Sequence, residues 1–370
     1  MMRQKRPLIA PLFTLISLFI LLVFIFIFDF YFFVIPSFEY NRFFVYAIGY
    51  SFIAVLVSLL IWFSYRNDSK SVIPYTLQFS LGGLWLADGI LQLQPQMPYE
   101  FLSLILFPVI SGIQNPSLSS FLMIGYNTWM IHPYQFNAIS GALQIFIGVS
   151  FILIRSERAL KIVSIISFLW GIIIWIFGEG FGGIFAGNPS YLTGYPGSAL
   201  IYSLMSIPFF INSLNNEKNI SKFFNVILVV FLLTSSILQA MPGSGFWAYN
   251  NLAGIPYNLM FNQGEPIPLA YLLNAIYPII SIYGFYFNII FVSVPLALCL
   301  AIAGKRKASY LLTAAYIFSI WVIFQDMGIY VNPSTDPNTA LPVVLILFYM
   351  YFHSLVTHEE VSTAMENKIS

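Results

Sequence analysis

Three carboxylates interrupt otherwise apolar stretches of this chain: Asp88 in the run Leu84–Ile90, Glu179 in Phe177–Phe181 and Asp326 in Val322–Gly328. An ionised carboxylate at the centre of a bilayer costs about 2.5–3.5 kcal/mol on insertion scales, so an acid there needs a reason to be kept. Two such groups brought together share a proton, raise one another's pKa or hold a cation. Glu179 and Asp326 stand 147 positions apart in similar contexts, Phe177-Gly178-Glu179 and Phe324-Gln325-Asp326, which suggests that they face one another. Gln92 and Gln239 share the same spacing and the same polar isolation. Asp88, Gln92, Glu179, Gln239 and Asp326 are therefore the candidates for ligand or ion binding. The competing reading is structural: the acids cap exposed backbone or bond Gln92 and Gln239. Gly178, Gly180, Gly182, Gly183 and Gly187 around Glu179 admit two readings as well. Small residues four apart let helices approach closely, and glycine also lets a helix end unwind and offer its backbone to a ligand.

Other chemistry is excluded by counting. Cys299 is the one cysteine, so no disulfide forms within the chain and no soft-metal cluster is available. A bis-histidine haem between helices needs two intramembrane histidines, and of the three only His353 falls in an apolar span; His132 sits in a loop and His358 in the tail. No phosphate loop, zinc-protease helix or nucleophile elbow stands in a supporting context. The chain is expected to have no catalytic residues of its own, no metal site and no intrinsic cofactor. Fifteen Lys and Arg against fourteen Asp and Glu leave no basic field for nucleic acid. The aromatics include Trp85, Trp129, Trp175, Trp247 and Trp321, most of them near the expected outer boundary. They read as an interfacial belt that is also suited to flank a quinone headgroup.

The elements that must position these residues are membrane helices. Apolar residues make up 59% of the 370 and charged residues only 8%, too few to cover a water-facing surface. With roughly 20 apolar residues needed per crossing, the sequence predicts an all-α polytopic protein of about ten transmembrane helices. The expected spans are 8–35, 43–64, 74–93, 135–154, 162–186, 198–214, 222–240, 281–303, 308–328 and 339–357. With both termini cytoplasmic, fourteen of the fifteen basic residues fall inside and Arg42 alone outside, as the positive-inside rule requires. Six of the fourteen acids fall inside, leaving an acidic outer face. The expected location is the plasma membrane.

An internal duplication organises the chain. Leu91-Gln92-Leu93-Gln94-Pro95 returns as Leu238-Gln239-Ala240-Met241-Pro242, and Asn188-Pro189-Ser190 returns as Asn332-Pro333-Ser334. The expected layout is an N-terminal two-helix anchor (1–72), a four-helix repeat (73–214) with an outer loop at 94–134, a second (215–357) with an outer loop at 241–280, and a cytoplasmic tail (358–370). An even helix count per unit inserts both in the same orientation, so the repeats are expected to be parallel. Neither long loop contains Lys or Arg. Loops of that length rarely lack structure, so interfacial or re-entrant helices folded over the outer mouth are expected.

The run Gly83-Leu84-Trp85-Leu86-Ala87-Asp88-Gly89-Ile90-Leu91-Gln92-Leu93-Gln94-Pro95 resembles a motif of uncharacterised prokaryotic multi-pass proteins. So do Gly178-Glu179-Gly180-Phe181-Gly182-Gly183, Leu192-Thr193-Gly194-Tyr195-Pro196-Gly197 and Thr335-Asp336-Pro337-Asn338. More distantly, each four-helix unit is similar to the DoxX-like family, through helix count and a glycine-rich opening helix. That family includes the small membrane subunit of thiosulfate:quinone oxidoreductase. The resemblance implies a membrane subunit of a redox or respiratory assembly, with redox partner subunits, a quinone-like ligand near the outer face and no metal or haem centre of its own. Two alternatives stay open. One is a proton- or cation-linked transporter using Glu179 and Asp326; the other is a structural or assembly protein. The lipid bilayer is the one certain partner, and homo-oligomers are compatible with every reading.

Overall fold

The computed structural model describes residues 75–214, 216–261, 267–304, 307–328 and 333–369. The expected spans 8–35 and 43–64, and with them the N-terminal anchor, lie outside the described residues. Everything regular in the described chain is helical. The first part comprises α1 (Tyr75–Gln92), α2 (Met97–Ser111), α3 (Pro116–Ile131), α4 (Pro133–Leu153), α5 (Glu157–Gly178) and α6 (Ser198–Ser206). The second comprises α7 (Glu217–Ala240), α8 (Tyr249–Met260), α9 (Ile267–Ala303), α10 (Lys307–Phe324) and α11 (Ala340–Ile369). Five of these, α4, α5, α7, α10 and most of α9, are long and apolar enough to cross a membrane. Large apolar side chains such as Ile162, Leu169, Val226, Leu300 and Leu312 point outward from them, as lipid-facing residues do.

Several expected boundaries move. The span placed at 162–186 ends as a helix at Gly178, because the following glycines take positive φ and turn the chain instead of continuing it. The segment 198–214 is helical in α6 only to Ser206, where Pro208 turns it into a 3-10 turn. The loop 94–134 folds into α2 and α3, and 241–280 holds α8 and the first part of α9. That last helix runs 37 residues with a break at Tyr283, close to where a span was expected to begin at 281. Trp85 and Trp321 are buried among other side chains and do not face outward.

Glycine decides how the first pair of helices packs. α1 lies against α4 with Gly82 facing Gly148 and Gly89 facing Gly141, a seven-residue spacing on both helices. A Cβ at Gly148 would stand 2.6 Å from the Leu86 nitrogen, and one at Gly89 would stand 2.8 Å from the Ile145 nitrogen. Without side chains between them the backbones approach closely, which in lipid replaces the hydrophobic drive that water would supply. The amide of Gln78 ties the far end of the pair by donating to the Phe151 and Ile154 carbonyls at 2.6 and 2.8 Å. Arg155 answers the same helix end, donating to the Ile152 carbonyl at 2.8 Å, where a cation complements the helix dipole. The other principal pairings set α5 on α6, α7 on α9, α8 on α9 and α10 on α11.

Gly148→Val is expected to destabilise the protein by about 1–3 kcal/mol, the usual cost of overpacking. Gly254→Ala meets open space within a helix, and is expected to be neutral or stabilising by roughly 0.5–1 kcal/mol. Thermal unfolding in detergent compares the two, and equal melting of Gly148→Val and wild type would refute the glycine seam.

Candidate functional site

The start of α6 is where the functional side chains collect. Its first residues, Ser198 and Ala199, are 3% and 2% exposed, so their backbone N–H groups cannot turn to water. Glu179, just past the end of α5, supplies the acceptor. Its Oε1 receives the Ser198 hydroxyl at 2.7 Å and the Ala199 N–H at 3.0 Å. Oε2 is buried, has no hydrogen-bond partner among the described residues and rests against Gly197. A Cβ at Gly197 would stand 2.1 Å from that oxygen, and the residue's φ of 102° lies in the left-handed region. Only glycine fits there.

Two loops are turned to make this contact. Gly180, Phe181 and Gly182 take φ of 53°, 62° and 62°, bringing the chain beside Pro196 so closely that no Cβ fits at 182. The indole N–H of Trp175 donates to the Pro196 carbonyl at 2.8 Å and pins the arrangement. The same construction stands at the start of α11. Asp326, Met327 and Gly328 take φ of 53°, 51° and 70°, and Trp321 donates to the Pro337 carbonyl at 2.6 Å. There the buried Ala340 N–H at the start of α11 is received by Gln325 Oε1 at 3.0 Å. By turn geometry the counterpart of Glu179 is therefore Gln325. Asp326 occupies the place of Gly180 and is fully buried in its turn.

The carboxylate that acts on Glu179 is Asp336, in the loop before α11. Asp336 Oδ1 accepts the Asn338 N–H at 2.7 Å and Oδ2 accepts the Thr335 hydroxyl at 3.0 Å. The Ser198 hydroxyl lies within hydrogen-bonding reach of Asp336 as well, so one hydroxyl stands between the two acids. Burial pushes the Glu179 carboxyl up to about 8, and the Asp336 charge adds to the rise against the bonds from Ser198 and Ala199. Burial raises Asp336 too, against its bonds to Ser198, Thr335 and Asn338. Both acids line a cavity of about 430 Å³ together with Ser198, Thr335, Asn188 and Asn338. That volume is in the range of small-molecule sites. Leu104, Ile105, Pro108 and Val109 of α2 form an apolar wall, and among the described residues no Lys, Arg or His lines the cavity. The first two belong to a π-helical stretch, Phe101–Leu106, within α2.

The remaining candidates divide. Asp88 is buried beside this site, receives the Tyr202 hydroxyl on Oδ1 at 3.1 Å and feels the charges of Asp336 and Glu179. Gln92 and Gln239 are joints between helices. Gln92 donates to Asn137, whose amide returns a bond to the Gln92 carbonyl at 3.0 Å. Gln239 donates to Asn288 at 2.7 Å and accepts from Ser190 at 2.6 Å. His353 stacks on Tyr349 and lies 3.7 Å from Glu217. Sequence reasoning did not single out Asp336, Ser198 or Tyr202. The Thr335-Asp336-Pro337-Asn338 motif contained the missing acid, but nothing local distinguished it from a surface turn.

No protein-family model, curated protein or solved structure matches this chain.

A carboxyl held above its unfolded value favours the folded state when protonated. The contribution is present below the ordinary carboxylate range and is lost as pH rises through the folded value. Thermal stability is therefore expected to fall between about pH 5 and pH 8. Glu179→Gln is expected to flatten that fall, and an unchanged slope in the variant would refute the assignment. Glu179→Ala leaves the Ala199 N–H without its acceptor, for an expected loss of about 1–3 kcal/mol at every pH.

Proposed function

We propose that this membrane protein carries out proton- or cation-linked transport, with Glu179 and Asp336 as the residues that hold the ion. One comparison carries the reading. The capping of a buried helix start is done by a neutral amide, Gln325, at α11 and by a carboxylate, Glu179, at α6. Capping alone needs only a carbonyl-type oxygen, so the ionisable group at 179 serves something more. Among the described residues its second oxygen is buried without a hydrogen-bond partner, a second acid shares its serine, and no base lines the cavity to neutralise them. Such a pair holds a proton between its members or attracts a cation to replace it.

The matching turns, caps and tryptophan bonds also support descent of the two halves from one duplicated unit, aligned at Glu179 and Gln325. The bias of basic residues supports cytoplasmic termini in a plasma membrane, with the cavity on the outer side.

The test uses the full chain in proteoliposomes carrying an internal pH dye, with tracer sodium and rubidium uptake measured alongside. Glu179→Gln preserves the cap as Gln325 does, so it is expected to melt near wild type while its flux falls to the protein-free background. Wild-type flux in a folded Glu179→Gln protein would sink the proposal.

A further inference from the structure

Three hydroxyl side chains stand at successive turns of α6, beginning at the cavity. Ser198, Tyr202 and Ser206 stand four residues apart, which at a rise of 1.5 Å per residue places them on one face about 6 Å from one another. Each meets a polar group from another element. Ser198 donates to Glu179 and lies within reach of Asp336. Tyr202 donates to Asp88 at 3.1 Å, and Ser206 shares a hydrogen bond of 2.7 Å with Ser167. Ser167 in turn accepts the Trp85 indole N–H at 2.7 Å. An indole only donates, so the file ends there. Leu81, Met205 and Phe209 nearby in the sequence of α1 and α6 are buried and apolar.

Asp88 is an odd residue to find in this file. It is 4% exposed, its hydroxyl partner Tyr202 is fully buried, and the charges acting on it, those of Asp336 and Glu179, are of its own sign. The other helices packed on α1 are α4, whose titratable residue is Tyr134, α11, whose described face carries Tyr349, Tyr351 and His353, and, around Leu91, α8, α9 and α10, whose titratable residues are tyrosines apart from Cys299 and Lys307. None of these is among the groups acting on Asp88. Three carboxylates with no base beside them among the described residues do not all ionise together, so protons reside among them. Among the described residues no group of three Asp, Glu, His or Cys side chains is placed to hold a metal ion.

We propose that Asp88 is a second proton-holding station, loaded from the Glu179–Asp336 pair by way of the Ser198 and Tyr202 hydroxyls, so that the ion handled here is the proton. In the transfer the Tyr202 O–H bond breaks as a proton forms O–H on the Asp88 carboxylate. The tyrosine oxygen takes a replacement proton from the cavity side, ultimately from the carboxyl of the pair. Asp88 ends neutral, the pair gains one negative charge and no electron moves. This rests on the transport reading of the cavity.

The experiment drives proteoliposomes with a potassium diffusion potential and follows internal acidification for wild type, Glu179→Gln, Asp88→Asn and Tyr202→Phe. Tracer sodium and rubidium uptake and melting are measured on the same preparations. Asparagine still accepts from Tyr202, and phenylalanine keeps the ring edge-on to Trp85 at a centroid distance of 5.1 Å, so both variants are expected to fold. Acidification by wild type, its loss in Asp88→Asn and severalfold slowing in Tyr202→Phe are the expected results. If Asp88→Asn does not fold, the slowing in Tyr202→Phe decides alone. Acidification lost in Glu179→Gln but unchanged in the other two overturns the relay and leaves the transport reading standing. Sodium or rubidium uptake without proton movement, again lost in Glu179→Gln, does the same. No flux of any ion in wild type overturns both.

Discussion

Among the described residues two helices begin in the interior, and a helix start carries N–H groups with no partner inside the helix. In water those groups are hydrated. At the buried starts of α6 and α11 they must be met by the protein, because an unmatched amide in an apolar setting costs several kcal/mol. The response is the same in both places. The preceding long helix, α5 or α10, ends in three residues of left-handed backbone, and a side chain just before them reaches across to the new helix. A tryptophan one turn earlier holds the incoming loop by its carbonyl. Much else in the middle of the molecule is arranged around these two joints.

Once that constraint is met, the difference between the joints becomes informative. Gln325 satisfies both of its amide ends, accepting from Ala340 and donating to the Tyr191 carbonyl at 2.8 Å. Glu179 satisfies one oxygen and leaves the other against Gly197. The amide closes its site and ties the two halves together, while the carboxylate keeps an unmet acceptor beside a cavity. Asp336 then makes the local electrostatics unfavourable to double ionisation, and the dipole of α6 partly offsets this by favouring negative charge at its start. Burial and a like charge hold the Glu179 carboxyl above the ordinary carboxylate range, against its bonds to the helix start.

The halves are interleaved rather than stacked. The Ser190 loop of the first half reaches Gln239 of the second, and the Ser334 loop of the second is received by Gln94 of the first, through bonds of 3.1 and 3.4 Å. Thr339 bonds the Gly194 carbonyl beside the cavity. The cavity thus has one acid from each half, and its shape depends on both loops being held. A motion that separated the halves would open the site, and one that brought them together would change the spacing of Glu179 and Asp336.

The sequence by itself determined the all-helical membrane character, because 8% charged residues cannot coat a soluble fold. It also marked Asp88 and Glu179 as misplaced charge, since an acid within an apolar run is visible without coordinates. It could not show that Glu179 meets Asp336, which lies 157 positions away in a turn of ordinary composition. The spacing of 147 set Asp326 opposite Glu179, whereas the residue that accepts from the start of α11, as Glu179 does at α6, is Gln325. Glycine spacing was equally ambiguous. At 178–187 it unwinds the chain, and the close helix approach falls instead on Gly82, Gly89, Gly141 and Gly148. The reason is common to all of these. Composition and hydropathy are sums over local residues and survive without a fold, whereas a cap, a shared serine or a glycine seam is a meeting of distant backbone segments that only tertiary packing brings about.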